Sequence, residues 1–270
     1  RDTIAKVKEW ISQNNGRFVR TEIVESPVNT GIPANYNRAV KACKGEWLKM
    51  MDGDDLILPN CVEDNVKFIK EKPEAEVVFS DMFIFKDDKE RKIIRKKFKE
   101  RDKSFFRVTI PEQSRWLLGH NVLPSQTCFI KANLLKQNPY EEKYRLLEDY
   151  PMWIKLSQKG IAFFYFDKCT AMYRIVDSVS SNNKELFSST YIVYSRQFNK
   201  DVVTPLIIKY KYSKEYDDNR KYYLLYDVCN AVLGNRRNAF TYVVYLFFRA
   251  VIFSGLHFKI PLDKQKSTVY

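Results

Sequence analysis

Ile4, Val7 and Ile11 recur at helical spacing and stop at Asn14-Asn15-Gly16, so the chain is expected to open on an amphipathic helix. Residues 17–26 (RFVRTEIVES) mix β-branched and charged positions and predict a short strand. After the Asn29-Thr30-Gly31 turn, Pro33 suits a first helical turn, and Ala34, Ala39, Val40 and Ala42 predict a small-residue helix ending by Gly45. Residues 47–51 (WLKMM) read as a buried strand, Pro59 starts a further helix through Phe68-Ile69, and residues 77–85 (VVFSDMFIF) are the strongest strand of the chain. Residues 128–135 predict a strand running into a helix. Trp153 and Leu156 are at helical spacing before Gly160, and residues 162–166 and 170–175 read as two strands. From about residue 185 the pattern is helical. The alternation of strands and helices predicts an α/β fold with a mainly parallel sheet flanked by helices, followed by a helical C-terminal extension.

Two segments break this rhythm. Residues 86–103 are dominated by charge and predict a solvated loop. The composition shifts near residues 178–183, which suggests one domain over 1–183 and a helical, basic region over 184–270.

Charge sharpens that division. Lys and Arg number 46 against 33 Asp and Glu, a net charge of +13. Residues 1–149 carry 28 basic and 24 acidic side chains and residues 150–270 carry 18 and 9, so +9 of the +13 lies in the C-terminal part. That excess suits an anionic partner. No helix-turn-helix, RNA-recognition or zinc pattern is present, so nucleic acid is not expected. The five cysteines are widely spaced without a Cys-x-x-Cys pair, which argues against a disulfide framework or structural zinc and for a reducing cytoplasm. Residues 239–258 have the length of a membrane span but carry Arg249 near the middle, where charge is costly. A packed helix or one lying in a membrane interface fits better, and peripheral contact with the inner face of the cell membrane is the expectation.

The candidate chemistry lies in carboxylates. Asp52, Asp54 and Asp55 follow an apolar strand, and the carboxyl ends of strands are where open α/β sheets bind ligands. Three carboxylates at one strand end repel one another unless a cation sits among them, and Mg²⁺ commonly combines one or two carboxylates with substrate phosphate oxygens. An Asp-rich turn without a ligand is the bland alternative. An EF-hand fails because Leu56 and Ile57 stand at its fifth and sixth positions, and a phosphotransferring Asp-x-Asp-x-Thr motif has Leu56 where Thr is needed.

The stretch from Asn29 to Pro59, with Asn29-x-Gly31-x(5)-Asn37, Gly45-Glu46 and Asp52-x-Asp54-Asp55, resembles the family 2 glycosyltransferases, inverting enzymes of GT-A fold. Two later blocks resemble the same family: Glu148-Asp149 with Trp153, and Tyr173-Arg174 followed by Ser178. The first β-α-β segment of that family has no counterpart here, since residues 1–3 match only its end. The family's occasional metal-binding His after Tyr-Arg is replaced by Val176 or Asp177, so Asp177 is a candidate substitute.

The resemblance implies a nucleotide-diphosphate sugar donor, a glycan or lipid-linked acceptor and a role in cell-surface polysaccharide synthesis. It implies Mg²⁺ or Mn²⁺ on Asp54 and Asp52, donor contacts from Asp52, Asn37 and Arg174, Asp149 as catalytic base and Glu148 as its tuning neighbour. Glu148-Asp149 could otherwise be a plain helix cap, Arg174 could only pair with a carboxylate, and His120 is expected in a structural or acceptor-loop role. A sugar nucleotidyltransferase and a non-enzymatic basic membrane-binding module are the competing classes.

Overall fold

A computed structural model of the chain describes residues 2–85, 93–96, 100–175 and 184–254. Its centre is a strand that the sequence makes apolar on both faces: Val77–Phe85 has Val77, Val78, Phe79 and Phe85 fully buried, as β-branched and aromatic residues favour. In chain order the strands are β1 (Trp47–Lys49), β2 (Leu56–Ile57), β3 (Val77–Phe85), β4 (Ile93–Lys96), β5 (Phe129–Lys131) and β6 (Phe163–Arg174). One edge of β3 pairs in parallel with β6 along its whole length. The other edge is shared, with β5 antiparallel at Val77 and Val78 and β4 antiparallel at Phe83 to Phe85.

The expected α/β layering is present, and the sheet is mixed. β1, β3 and β6 share one direction, while β5 runs antiparallel between β1 and β3, and β2 runs antiparallel to β6. The chain enters β5 from the end where β1 and β3 finish, so it can join them only in reverse. The carboxyl ends of β1, β3 and β6 therefore gather at one end of the sheet.

The helices are α1 (Asp2–Asn14), α2 (Ile32–Ala42), α3 (Cys61–Glu71), α4 (Glu100–Lys103), α5 (Ile110–Gly119), α6 (Ala132–Gln137), α7 (Asp149–Gln158), α8 (Ser189–Phe198), α9 (Thr204–Tyr210), α10 (Ser213–Leu233) and α11 (Ala239–Phe253). On one face of the sheet Val66, Phe68 and Ile69 of α3 cover Val78 and Phe129. On the other, Leu117 and Leu118 of α5 and Met152, Trp153 and Leu156 of α7 are buried against Phe79 and Phe163, with the Trp153 and Phe79 rings edge-on at 5.1 Å. Phe198, Val203 and Ile207 join this same core, and Phe198 meets the rings of Tyr144 and Tyr150 at 5.1 and 5.3 Å. The helical region and the sheet thus share one hydrophobic cluster. The boundary expected at residues 178–183 lies outside the described residues.

Three local expectations need correcting. Residues 17–26 form no strand: a ladder needs a neighbour, and none lies beside this segment among the described residues. The charged stretch 86–103 is not all loop, because its one apolar pair, Ile93-Ile94, lies in β4, and Ser104 follows directly on the short α4. The two strands expected within residues 162–175 are one long strand, Phe163–Arg174, since the whole length of β3 is available for pairing.

Candidate active site

The turn after β1 divides its carboxylates between two duties. Asp55 is buried and faces inward: its Oδ1 accepts from the Arg174 backbone N–H at 2.8 Å, and its own N–H donates to the Asp52 carbonyl at 3.2 Å. Arg174 Nε also donates to the Asp54 carbonyl at 2.6 Å, and its guanidinium lies 4.9 Å from the Phe85 ring centre. The turn is therefore stapled to the carboxyl end of β6. Burial pushes the Asp55 carboxyl up to about 6, against the opposing Arg174 hydrogen bond. Asp52 and Asp54 point the other way and line a cleft. Asp52 accepts a 2.7 Å hydrogen bond from the Tyr36 hydroxyl, while the Asp54 carboxylate makes no hydrogen bond or ion pair among the described residues.

The second pair of carboxylates meets this cleft from α7. Glu148 precedes the helix without a capping bond from its side chain, so the helix-cap alternative does not account for it. Asp149 Oδ1 accepts from the Tyr150 N–H at 2.5 Å and Oδ2 accepts from Asn121 Nδ2 at 3.0 Å. Burial is the largest influence on both carboxyls and raises both above their ordinary range, with the Asp149 charge adding to the rise at Glu148. The Tyr150 and Asn121 hydrogen bonds pull Asp149 back down, so Asp149 is the member better able to hold the charge.

Both pairs line one cleft of about 330 Å³, together with Asn121, Gln126, Tyr173 and Tyr191. Tyr191 comes from α8, so the C-terminal helical region contributes to the wall. A neighbouring cavity of about 580 Å³ shares Asn121, Gln126, Asp149 and Tyr173, and continues past His120, Leu123 and Ile84. Asp149 thus stands on the wall between two spaces. Gln126 is held by half-buried Lys49, whose ammonium donates to the Gln126 carbonyl and, at 3.4 Å, to that of Cys128.

Asn37 is not in the cleft wall. Its side chain pairs with both backbone groups of Tyr140, accepting from the N–H at 2.8 Å and donating to the carbonyl at 3.0 Å, and it donates to Glu142 at 2.9 Å. In place of the expected donor contact, Asn37 spends three of its four hydrogen-bonding directions, both amide hydrogens and one carbonyl lone pair, on the loop leading to Glu148. Gly31 has φ +94°, and a Cβ there would lie 3.0 Å from the Arg145 carbonyl oxygen. Asn29 Oδ1 accepts from the Gly31 N–H at 3.0 Å, and the Ile32 N–H donates to the Arg145 carbonyl at 2.9 Å. The Asn-x-Gly-x(5)-Asn block is a clasp that holds the 139–148 loop against α2. Arg174, expected at the diphosphate, holds the Asp turn. Sequence reasoning missed Asn121, Tyr36 and Tyr191, which have no local pattern; their importance comes only from what they meet in space.

Asp52 and Asp54, open to one cleft, fit a hard cation that completes its sphere with substrate oxygens. No cluster of three metal-ligating side chains occurs among the described residues, and Asp177 lies outside them.

Residues 2–134 match the family model described as glycosyl transferase family 2. An uncharacterised glycosyltransferase of Methanocaldococcus jannaschii is 26% identical over 202 residues, covering 72% of this chain and 66% of that protein. One from Haemophilus influenzae is 26% identical over 168 residues, covering 59% of each. The chain thus spans about two thirds or less of the length of these relatives. Among solved structures, S. aureus TarS 1-349 in complex with UDP-GlcNAc is similar with a TM-score of 0.50 at 18% identity, covering 72% of this chain and 54% of that one, and shows the same fold.

Proposed function

We propose that the chain, whose residues 2–134 match the family model of glycosyl transferase family 2, moves a sugar from a nucleotide-diphosphate donor to a hydroxyl of a glycan or lipid-linked acceptor, with inversion, in cell-surface polysaccharide synthesis. The observation that supports this reading most is the single cleft in which Asp52 and Asp54 meet Glu148 and Asp149, pairs nearly a hundred residues apart in sequence. The solved relative of similar fold carries UDP-GlcNAc, in keeping with a nucleotide-sugar donor.

In this reading Asp149 takes the proton of the acceptor hydroxyl as its oxygen bonds to the anomeric carbon and the bond from that carbon to the diphosphate oxygen breaks on the opposite face. Asn121 holds one oxygen of Asp149 and so aims the other. The neighbouring cavity, on the far side of Asp149, is where the acceptor sits, and the space by Asp52 and Asp54 takes the diphosphate. Mg²⁺ or Mn²⁺ held by Asp54 and Asp52 would offset the negative charge gathering on the departing diphosphate. Glu148 stays protonated beside Asp149 and lets its neighbour carry the charge.

A panel of nucleotide sugars with Mn²⁺ or Mg²⁺, read as nucleotide release, tests the reading. One donor is expected to turn over, and Asp149→Asn should cut its transfer by about 10²-fold or more while donor affinity stays within a few-fold. Glu148→Gln should cost less. Release no faster than the uncatalysed rate from every donor overturns the reading; parent-rate transfer by Asp149→Asn with a dead Glu148→Gln moves the base to Glu148.

A further inference from the structure

Helix α11 is apolar on both sides, yet only one side is covered. Thr241 is buried and Val244, Tyr245, Phe248 and Ile252 are half-buried on the side turned to the rest of the protein, where Tyr245 meets the Phe187 ring at 5.8 Å. At about 100° per residue the remaining positions form one continuous arc. Along it Phe240, Val243 and Phe247 are 73%, 65% and 64% exposed, with Leu246 and Phe253 exposed beside them. A contiguous apolar face of this kind is rare on a protein that meets only water.

The charges next to the arc in sequence are of one sign, although Glu185 bridges to the Arg236 backbone. Arg236 and Arg237 precede the helix, the Arg237 guanidinium lying 5.2 Å from the Tyr242 ring centre, and Arg249 stands at the margin of the arc. From residue 228 to 262 the sequence has no Asp or Glu. Among the described residues no helix is long and apolar enough to cross a membrane.

We propose that α11 lies in the plane of an anionic lipid surface, with Phe240, Val243 and Phe247 entering the acyl boundary and Arg236, Arg237 and Arg249 reaching lipid phosphates. A bilayer supplies the two things this face needs together: apolar depth for the arc and negative charge along its margins. Arg249 is compatible with that position because its long stem can lie along the apolar face while the guanidinium reaches the headgroups.

Co-sedimentation of the full chain with phosphatidylcholine vesicles, with and without phosphatidylglycerol, tests the proposal. Binding is expected to the anionic vesicles and to weaken in high salt. The double variant Val243→Ser, Phe247→Ser should bind at least about 10-fold more weakly. Arg236→Gln and Arg237→Gln should each cost about fivefold on anionic vesicles only. The parent circular dichroism spectrum in all variants, since these side chains are exposed, keeps the comparison one of binding. Failure of the parent chain to sediment with anionic vesicles overturns the proposal, as does undiminished binding by the double variant. A parent dimer that the double variant splits, without vesicle binding, shows instead that a second copy covers this face.

Discussion

Asp149 is held between opposing influences: burial pushes its carboxyl up, while hydrogen bonds from Tyr150 N–H and Asn121 Nδ2 favour the charged form and pull it down. Asn121→Ala removes one of those donors. The acidic limb of the transfer rate is then expected to move to higher pH, with the loss greatest on the acid side and smaller in alkali; a limb that stays in place would show that Asn121 does not act through Asp149. The same raised carboxyls bear on stability. Between the ordinary carboxylate range and the raised values of Glu148 and Asp149, the folded chain binds more protons than the unfolded one, so stability falls as pH rises across that window. Glu148→Gln is expected to flatten this fall, and urea midpoints taken below and above the window measure it.

The clasp formed by Asn29, Gly31 and Asn37 joins α2 to the loop that delivers Glu148 and Asp149. Gly31→Ala puts a side chain at φ +94° against the Arg145 backbone, and a loss of about 1–3 kcal/mol is expected in urea unfolding. Asn37→Ala deletes three hydrogen bonds and should cost about 2 kcal/mol while leaving donor affinity within a few-fold. A large loss of donor affinity at unchanged stability would return Asn37 to the nucleotide site. The sequence made β3 and α7 legible because continuous apolar runs and helical spacing are local signals, and it found the Asp52 turn because carboxylates after a strand have local meaning. It could not show that Asn37 serves Tyr140, 103 residues away, or that Asn121 serves Asp149. The strand expected at residues 17–26 failed for the same reason: a strand is a relation to a neighbour, and propensity records only one partner.

Across the whole molecule, the helical region supplies Phe198, Val203 and Ile207 to the core that surrounds Trp153, and Tyr191 to the cleft. A shared core predicts one cooperative unfolding transition, with tryptophan fluorescence and circular dichroism coinciding; two separate transitions would show independent parts. Phe198→Ala should lower stability by about 3–4 kcal/mol in that single transition. The positive excess of residues 150–270 and the uncovered arc of α11 belong to this scale too, since they set how the molecule meets a surface while the cleft sets what it does. The central claim is that one cleft divides its duties, Asp52 and Asp54 holding the donor's diphosphate through a cation and Asp149 acting only on the acceptor. Calorimetric titration of the nucleotide sugar identified by the panel, with and without Mn²⁺, into the parent chain, Asp54→Ala and Asp149→Asn tests it most directly. The account predicts cation-dependent binding by the parent, its loss in Asp54→Ala and its retention in Asp149→Asn; donor binding by Asp54→Ala as tight and as cation-dependent as the parent's would contradict it.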